Sequence, residues 1–371
     1  MRVSTARGAP HPRHEWYRSV MVDLRDRYAG VLVGAAVGDA LGAPLDGMSA
    51  KRALAASGGA PLRQLLALDG RLGLGTDAVQ QALFTAEGLI RAHHRVLGGR
   101  GGDTVDAVHA ALLRWQATQH APGPPPRADG WLSSQQVLYD RQARDPATSR
   151  ALRTGLRGSL EAPINNWREA TVLVRAGACA LAELMPFERA SRVATLTHSH
   201  VDAALSAGLH AVVLSKLLIG QGLDHAVQAG LSRVGSQPAA QELSAVVEHA
   251  LDTADLGEPS VDQLVEVLAF AGTDPSAAPA VLSAALYLVG VVDDPAEALG
   301  LAVLAGGGAS RLGAVVGQLL GARSGAAALP SELVEGARLA PLAKDVADDL
   351  YARFSGVPFE LTEDGFERYP G

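Results

Sequence analysis

Gly30, Gly34 and Gly38 recur at every fourth position inside the apolar run Ala29-Gly-Val-Leu-Val-Gly-Ala-Ala-Val-Gly-Asp-Ala-Leu-Gly42. That spacing places all three on one face of a helix. A face stripped of side chains lets a second helix approach closely, so the chain demands a tight helix–helix crossing here. In a membrane the same spacing would suggest dimerisation. Asp39 inside the run and the charged residues before it argue instead for a buried helix of a folded domain.

The rest of the composition fits a helical core. Of 371 residues, 48% are hydrophobic but only 4% aromatic, so the core must be built from Ala, Leu and Val. Ala and Leu favour helix. From Trp16, apolar residues recur at three and four (Tyr17, Val20, Met21, Leu24, Tyr28). Helical patterns follow at 77–97, 103–119, 167–184, 188–197, 201–219, 224–234, 239–254, 260–271, 277–291, 295–305, 310–322, 331–338 and 341–354. Residues 51–70 are rich in Ala and Leu with little periodicity. No alternating run is long enough to demand a sheet, and no repeat of fixed period marks a solenoid. The reading is all-α: a loosely attached tail over residues 1–15, then one domain over 16–371.

Net charge is −7, which argues against nucleic acid or an anionic membrane as partner. Lysine occurs only at Lys51, Lys216 and Lys344, which reads as coding bias rather than function. The lone Cys179 sits in an apolar helical stretch and cannot form an internal disulfide, so a reducing cytoplasm is expected. The longest uncharged stretch, between Asp274 and Asp293, opens with Pro275 and falls short of a membrane span.

Five segments carry candidate chemistry. Gly38-Asp39-Ala-Leu-Gly-Ala-Pro44-Leu-Asp46 places acids beside glycines, where an acid ordinarily caps a turn. Gly75-Thr76-Asp77-Ala78-Val79 opens a helix, where Thr and Asp cap it and favour its dipole. Ser159-Leu-Glu161-Ala-Pro-Ile-Asn165-Asn166-Trp167-Arg168 offers amides, a stacking face and a cation, or simply a polar turn before a helix. Thr195-Leu-Thr-His198-Ser-His200-Val-Asp202 holds two histidines, a weak zinc signal without further ligands; Thr197 or Ser199 would cap the next helix. Finally, Leu304-Ala-Gly306-Gly307-Gly308-Ala309-Ser310-Arg311 begins a small-residue helix that runs to Pro330, a weak phosphate cradle taken alone.

Taken together and in this order, the segments resemble the ADP-ribosylglycohydrolase family, over about Tyr28 to Pro330. The family shows G-D-A-L-G-x-P-x-E, then T-D-D-T, a G-N-G-x-x-M-R loop, a T-H segment, and G-G-D-T-D-T followed by a helix of small residues. The resemblance implies one bundle of many helices. Its cleft would lie where loops 39–46, 76–77, 160–168, 198 and 306–311 converge. It implies that Asp39 supports a site for two divalent ions, that Asp46 lies on a mobile loop near the scissile bond, and that His198 lies near a bound nucleotide. It further implies ligand contacts from Thr76, Glu161, Asn165, Asn166, Trp167, Gly307, Gly308, Ser310 and Arg311.

Against that pattern the metal ligands are mostly missing. Ala78 stands for the second acid of the first motif. Gly308 and Ser310 stand for the two acids of the last, and Arg311 for its final threonine. One direct carboxylate, Asp77, remains for two dications, and hard cations need several oxygens. A permanent guanidinium at 311 opposes an ion and suggests a substitute, pairing with Asp77. The expectation is therefore a homologue without the Mg²⁺ pair and with impaired chemistry, taking ADP-ribose or a related nucleotide or an ADP-ribosylated protein. Two alternatives stay open. One is a metal-free hydrolase using Asp77, Asp39, Asp46 or Glu161 as base. The other is an interaction module whose cleft has closed.

Overall fold

The structure, a computed structural model, describes residues 12–141, 146–182, 185–235, 238–254, 259–356 and 363–371. Helix α1 (Pro12–Gly42) carries the glycine face. A 3-10 turn (Ala43–Leu45) leads to α2 (Ala50–Ala56) and to two short strands, β1 (Ala67–Leu68) and β2 (Arg71–Leu72). Then come α3 (Asp77–Leu97), α4 (Thr104–Thr118), α5 (Pro146–Arg153), α6 (Thr171–Ala182) and α7 (Pro186–Thr195). The second half comprises α8 (Val201–Leu218), α9 (Leu223–Val234), α10 (Pro238–Ala254), α11 (Val261–Phe270), α12 (Ala278–Val291) and α13 (Pro295–Ala302). It ends with α14 (Ala309–Ser324), α15 (Ser331–Gly336), α16 (Ala340–Phe354) and α17 (Glu363–Arg368). The fold is all-α, as the composition requires.

The partner of the α1 glycine face is α14. Gly30, Gly34 and Gly38 meet the backbone of Gly321, Gly317 and Gly313, and Gly42 meets Ala309. A Cβ on any of the α1 glycines would collide with the α14 backbone, and the converse holds for Gly313, Gly317 and Gly321. Two four-residue glycine ladders therefore face each other, one visible in each half of the chain. Around them the core is Ala, Leu and Val, with Trp115, Tyr287 and Phe84 among the largest fully buried side chains. By length and composition alone, Leu24–Leu45 and Val201–Leu218 are apolar enough to cross a membrane, but their apolar windows are 94% and 83% buried inside the fold.

Several details differ from the sequence reading. Of the expected tail, residues 1–11 lie outside the described residues, and 12–15 already belong to α1. The 51–70 stretch runs into a two-residue hairpin through Asp69 and Gly70, at φ 52° and 74°. An Asp-Gly pair is the usual residue choice for such a turn, but strands of two residues leave no alternation to read. Helix α6 starts at Thr171 instead of 167, because residues 165–170 are held in a loop. Helix α8 is capped by the ring of His200, which accepts from Asp202 N at 3.1 Å, and not by Thr197 or Ser199. Helices α5 and α17 carried no periodic signal; they span only 8 and 6 residues.

A charged cluster is buried between two of these helices. Glu87 on α3 is fully buried, with Arg91 Nε at 3.0 Å and Arg114 Nε at 3.5 Å. Burial pushes the Glu87 carboxyl pKa up, and the two arginines oppose that shift. Removing one partner of a buried pair leaves an uncompensated charge, so Glu87→Gln should cost about 3–5 kcal/mol of stability in urea unfolding. Asp129, the other acid contacting both arginines, is 65% exposed and compensates little.

Candidate functional site

Of the loops expected to form the cleft, 39–46, 76–77 and 306–311 meet at the start of α3 and α14, and two acids are fixed there in the same way. Asp39, near the end of α1, accepts from Thr76 N at 2.5 Å and from Thr76 Oγ1 at 2.7 Å. Asp46, just past the 3-10 turn, accepts from Ser310 N at 2.9 Å and Ser310 Oγ at 2.7 Å. Each carboxylate thus clasps the backbone N–H and the hydroxyl of one residue at a helix start, satisfying donors a helix leaves unpaired. Asp39 is fully buried, and burial pushes its carboxyl up to about 7 against the lowering effect of the Thr76 hydrogen bonds. The Asp46 charge raises it further, and the Arg311 charge lowers it.

The second clasp belongs to a larger fastening. Gly47 N donates to Gly307 O at 2.9 Å, Gly307 N to Met48 O at 3.0 Å, and Ser49 bridges Gly306. Gly306 and Gly307 have φ of 85° and 69°, and Cβ atoms there would crowd Ala50 and Pro275. The loop bearing Asp46 is therefore tied to the turn before α14 along its length.

Asp77 opens α3, fully buried, with Oδ2 accepting from Gln81 Nε2 at 3.1 Å. Arg311 is 9% exposed and donates from Nε to Thr171 Oγ1 at 3.2 Å, which joins α14 to the start of α6. Its side chain runs past Gly308.

The 159–170 loop is pinned to the segment before α8. Asn165 bonds backbone on both sides of its amide: Nδ2 donates to Thr197 O at 2.9 Å, while Oδ1 accepts from Ser199 N at 3.0 Å and Trp167 N at 3.2 Å. It positions the loop. Asn166 is exposed, Trp167 half-buried. Arg168 reaches Asp202 at 3.1 Å. The Trp167 and His198 rings meet edge-on with centroids 6.5 Å apart. His198 is fully buried. Arg175 donates to Thr197 Oγ1 at 2.7 Å, and Thr197 Oγ1 lies 2.9 Å from His198 Nδ1. His198 Nε2 lies 3.6 Å from Glu169 Oε2. Sequence reasoning missed Glu169. It lies one residue beyond the recognisable segment, and nothing local ties it to His198.

Glu161 sits elsewhere. It is exposed, and hydrogen bonds from its own backbone and Ser159 lower its pKa. It lines a cavity of about 450 Å³ with Asp103, Val105, Arg157, Arg192 and Leu196, and no contact among the described residues joins it to Asp39, Asp46 or Asp77. A second cavity, about 590 Å³, opens behind Gly306 and Gly307 against Leu268 and Pro275.

For two hard dications this donor set is poor. Both oxygens of Asp39 and both of Asp46 already accept hydrogen bonds, and positions 78 and 308 carry no oxygen in their side chains. Among the described residues, no group of three or more His, Cys, Asp and Glu side chains is placed to hold a metal ion. The residues present do not fit the pair.

No curated protein matches the chain. Among solved structures it is similar to an ADP-ribosylglycohydrolase-related protein complex, at 26% identity and a TM-score of 0.63, over 89% of this chain and 98% of that one. Residues 21–358 match the ADP-ribosylglycohydrolase family over nearly the whole helical fold just described, and the chain belongs to that family.

Proposed function

We propose that this protein is a metal-independent member of its family that binds ADP-ribose, or the ADP-ribosyl group of a modified protein, and has lost most hydrolytic activity. The observation that carries the reading is the pair of clasps. The acids at 39 and 46 hold Thr76 and Ser310 instead of facing open space, and the guanidinium of Arg311 supplies fixed positive charge close to them. We take that charge to face Asp77 as well, replacing an ion by a side chain. The elements on the nucleotide side, Trp167 and His198, remain in place beside the pinned loop.

A metal-free hydrolase is the rival. Asp39, at about 7, would suit proton transfer near neutral pH. It is fully buried, however, and both its oxygens are engaged, so water has no approach to it. This favours binding over turnover. The single buried thiol, Cys179, accords with a cytoplasmic setting, and the net charge of −7 with a partner other than nucleic acid.

The test is thermal unfolding with ADP-ribose, in Mg²⁺ and in EDTA. ADP-ribose at 100 times its Kd should add about 2.7 kcal/mol of stability in either buffer. Binding that requires Mg²⁺, or release of ADP-ribose from modified protein that EDTA abolishes, would defeat the reading.

A further inference from the structure

We propose that Glu169 is a sugar-recognition residue of this cleft, its carboxylate accepting hydrogen bonds from the vicinal diol of a terminal ribose. The inference rests on the nucleotide-binding reading above and assigns that site a residue.

The backbone around Glu169 is held on both sides. Ala170 N donates to Ser276 O at 2.9 Å and Ala278 N to Arg168 O at 2.8 Å, so residue 169 bridges Ala277 in an antiparallel pair. Its side chain is therefore aimed by the start of α12, not by a free loop. Oε2 is buried and lies 3.6 Å from His198 Nε2, close enough for an ion-pair contact but beyond a hydrogen bond. The side chain is nevertheless 31% exposed. One oxygen thus lies buried beside a histidine, while the carboxylate keeps an exposed edge able to accept. Trp167, two residues earlier, approaches the same His198 ring. Thr171, two residues later, holds Arg311.

This arrangement matches the chemistry of a sugar. Hydroxyls donate to a carboxylate in strong charge-assisted bonds, and the C–H face of the ring packs on an aromatic side chain. A phosphate would be repelled by Glu169. A cationic ligand would meet Arg311, which Thr171 holds nearby.

Calorimetric titration of the full chain with ADP-ribose and with ADP, which lacks the terminal ribose, tests the role. Glu169→Gln should weaken ADP-ribose about tenfold, the loss expected for one charge-assisted hydrogen bond, and leave ADP within about twofold. Glu169→Asp, which keeps the charge, should recover part of the loss. Equal losses for both ligands would make Glu169 merely structural, and no loss for ADP-ribose would refute the assignment outright. Failure of the wild-type chain to bind ADP-ribose is a different result: it overturns the nucleotide reading, and this role falls with it. If Glu169→Gln fails to fold, Glu169→Asp carries the same comparison.

Discussion

Gly317→Ala should unfold at far lower urea than the wild type, with a loss of at least about 3 kcal/mol, the upper end of typical overpacking costs. On an open helix surface the same change would stabilise by up to about 1 kcal/mol, since alanine is the better helix former. Here the new methyl would collide with the carbonyl of Gly34. The obstacle is backbone, which cannot rotate away as a side chain would. Nor can one row yield alone: Gly30 with Gly321, Gly38 with Gly313, and Gly42 with Ala309 share the same interaxial distance. Gly290→Ala on α12 is the matched control. That glycine is exposed, and a Cβ there would meet its neighbours only at ordinary contact distance, 3.7 Å. The control should be neutral or slightly stabilising. If both variants lie within about 0.5 kcal/mol of wild type, the range of ordinary surface substitutions, the close crossing is refuted. The crossing also bears on the site, because Asp39 lies near the end of one helix, Asp46 follows the turn after it, and Ser310 and Arg311 begin the other.

Asp39→Asn should flatten the dependence of stability on pH. The folded protein raises the Asp39 carboxyl from 3.8 to about 7, so the folded chain binds this proton more tightly than the unfolded one. Its contribution is therefore fully present below about pH 4 and is lost as pH rises through 7. A shift of about three units corresponds to roughly 4 kcal/mol across that window. Asparagine has no proton to lose, yet can still accept from Thr76 N and donate to Thr76 Oγ1. Urea unfolding of both proteins at pH 5 and pH 8 would measure the difference. His210 works in the opposite sense: burial lowers it to about 4, so its contribution is present above 6.5 and lost as pH falls below. Both proteins share that slope, so subtraction isolates Asp39. Equal slopes in the two proteins would show that Asp39 stays ionised in the fold and that its clasp with Thr76 tolerates the charge.

Much of the architecture was legible because helix signals are local. The pattern at 77–97 became α3 with Thr76 as its cap, and 201–219 became α8 within a residue. Where the reading slipped, the element was too short to show a period, as in β1, β2, α5 and α17. At 167–170 a helical pattern lost to tertiary hydrogen bonds. At the site the residue types were legible but their partners were not. Asn165 read as a ligand amide, and its partners within the fold are the remote Thr197 and Ser199. Glu169 did not register at all.

By itself, then, the sequence determined that one helix carries a glycine face able to admit a close neighbour, that the chain is all-α, and which acids of the family pattern are gone. Those properties depend on spacing along one helix or on the identity of one residue. Only the tertiary structure decided what the remaining acids do, because their partners are remote. Asp39 meets Thr76 across 37 residues and Asp46 meets Ser310 across 264. Whether a carboxylate faces open space or a hydroxyl depends on how two helices pack, and no local pattern encodes that distance.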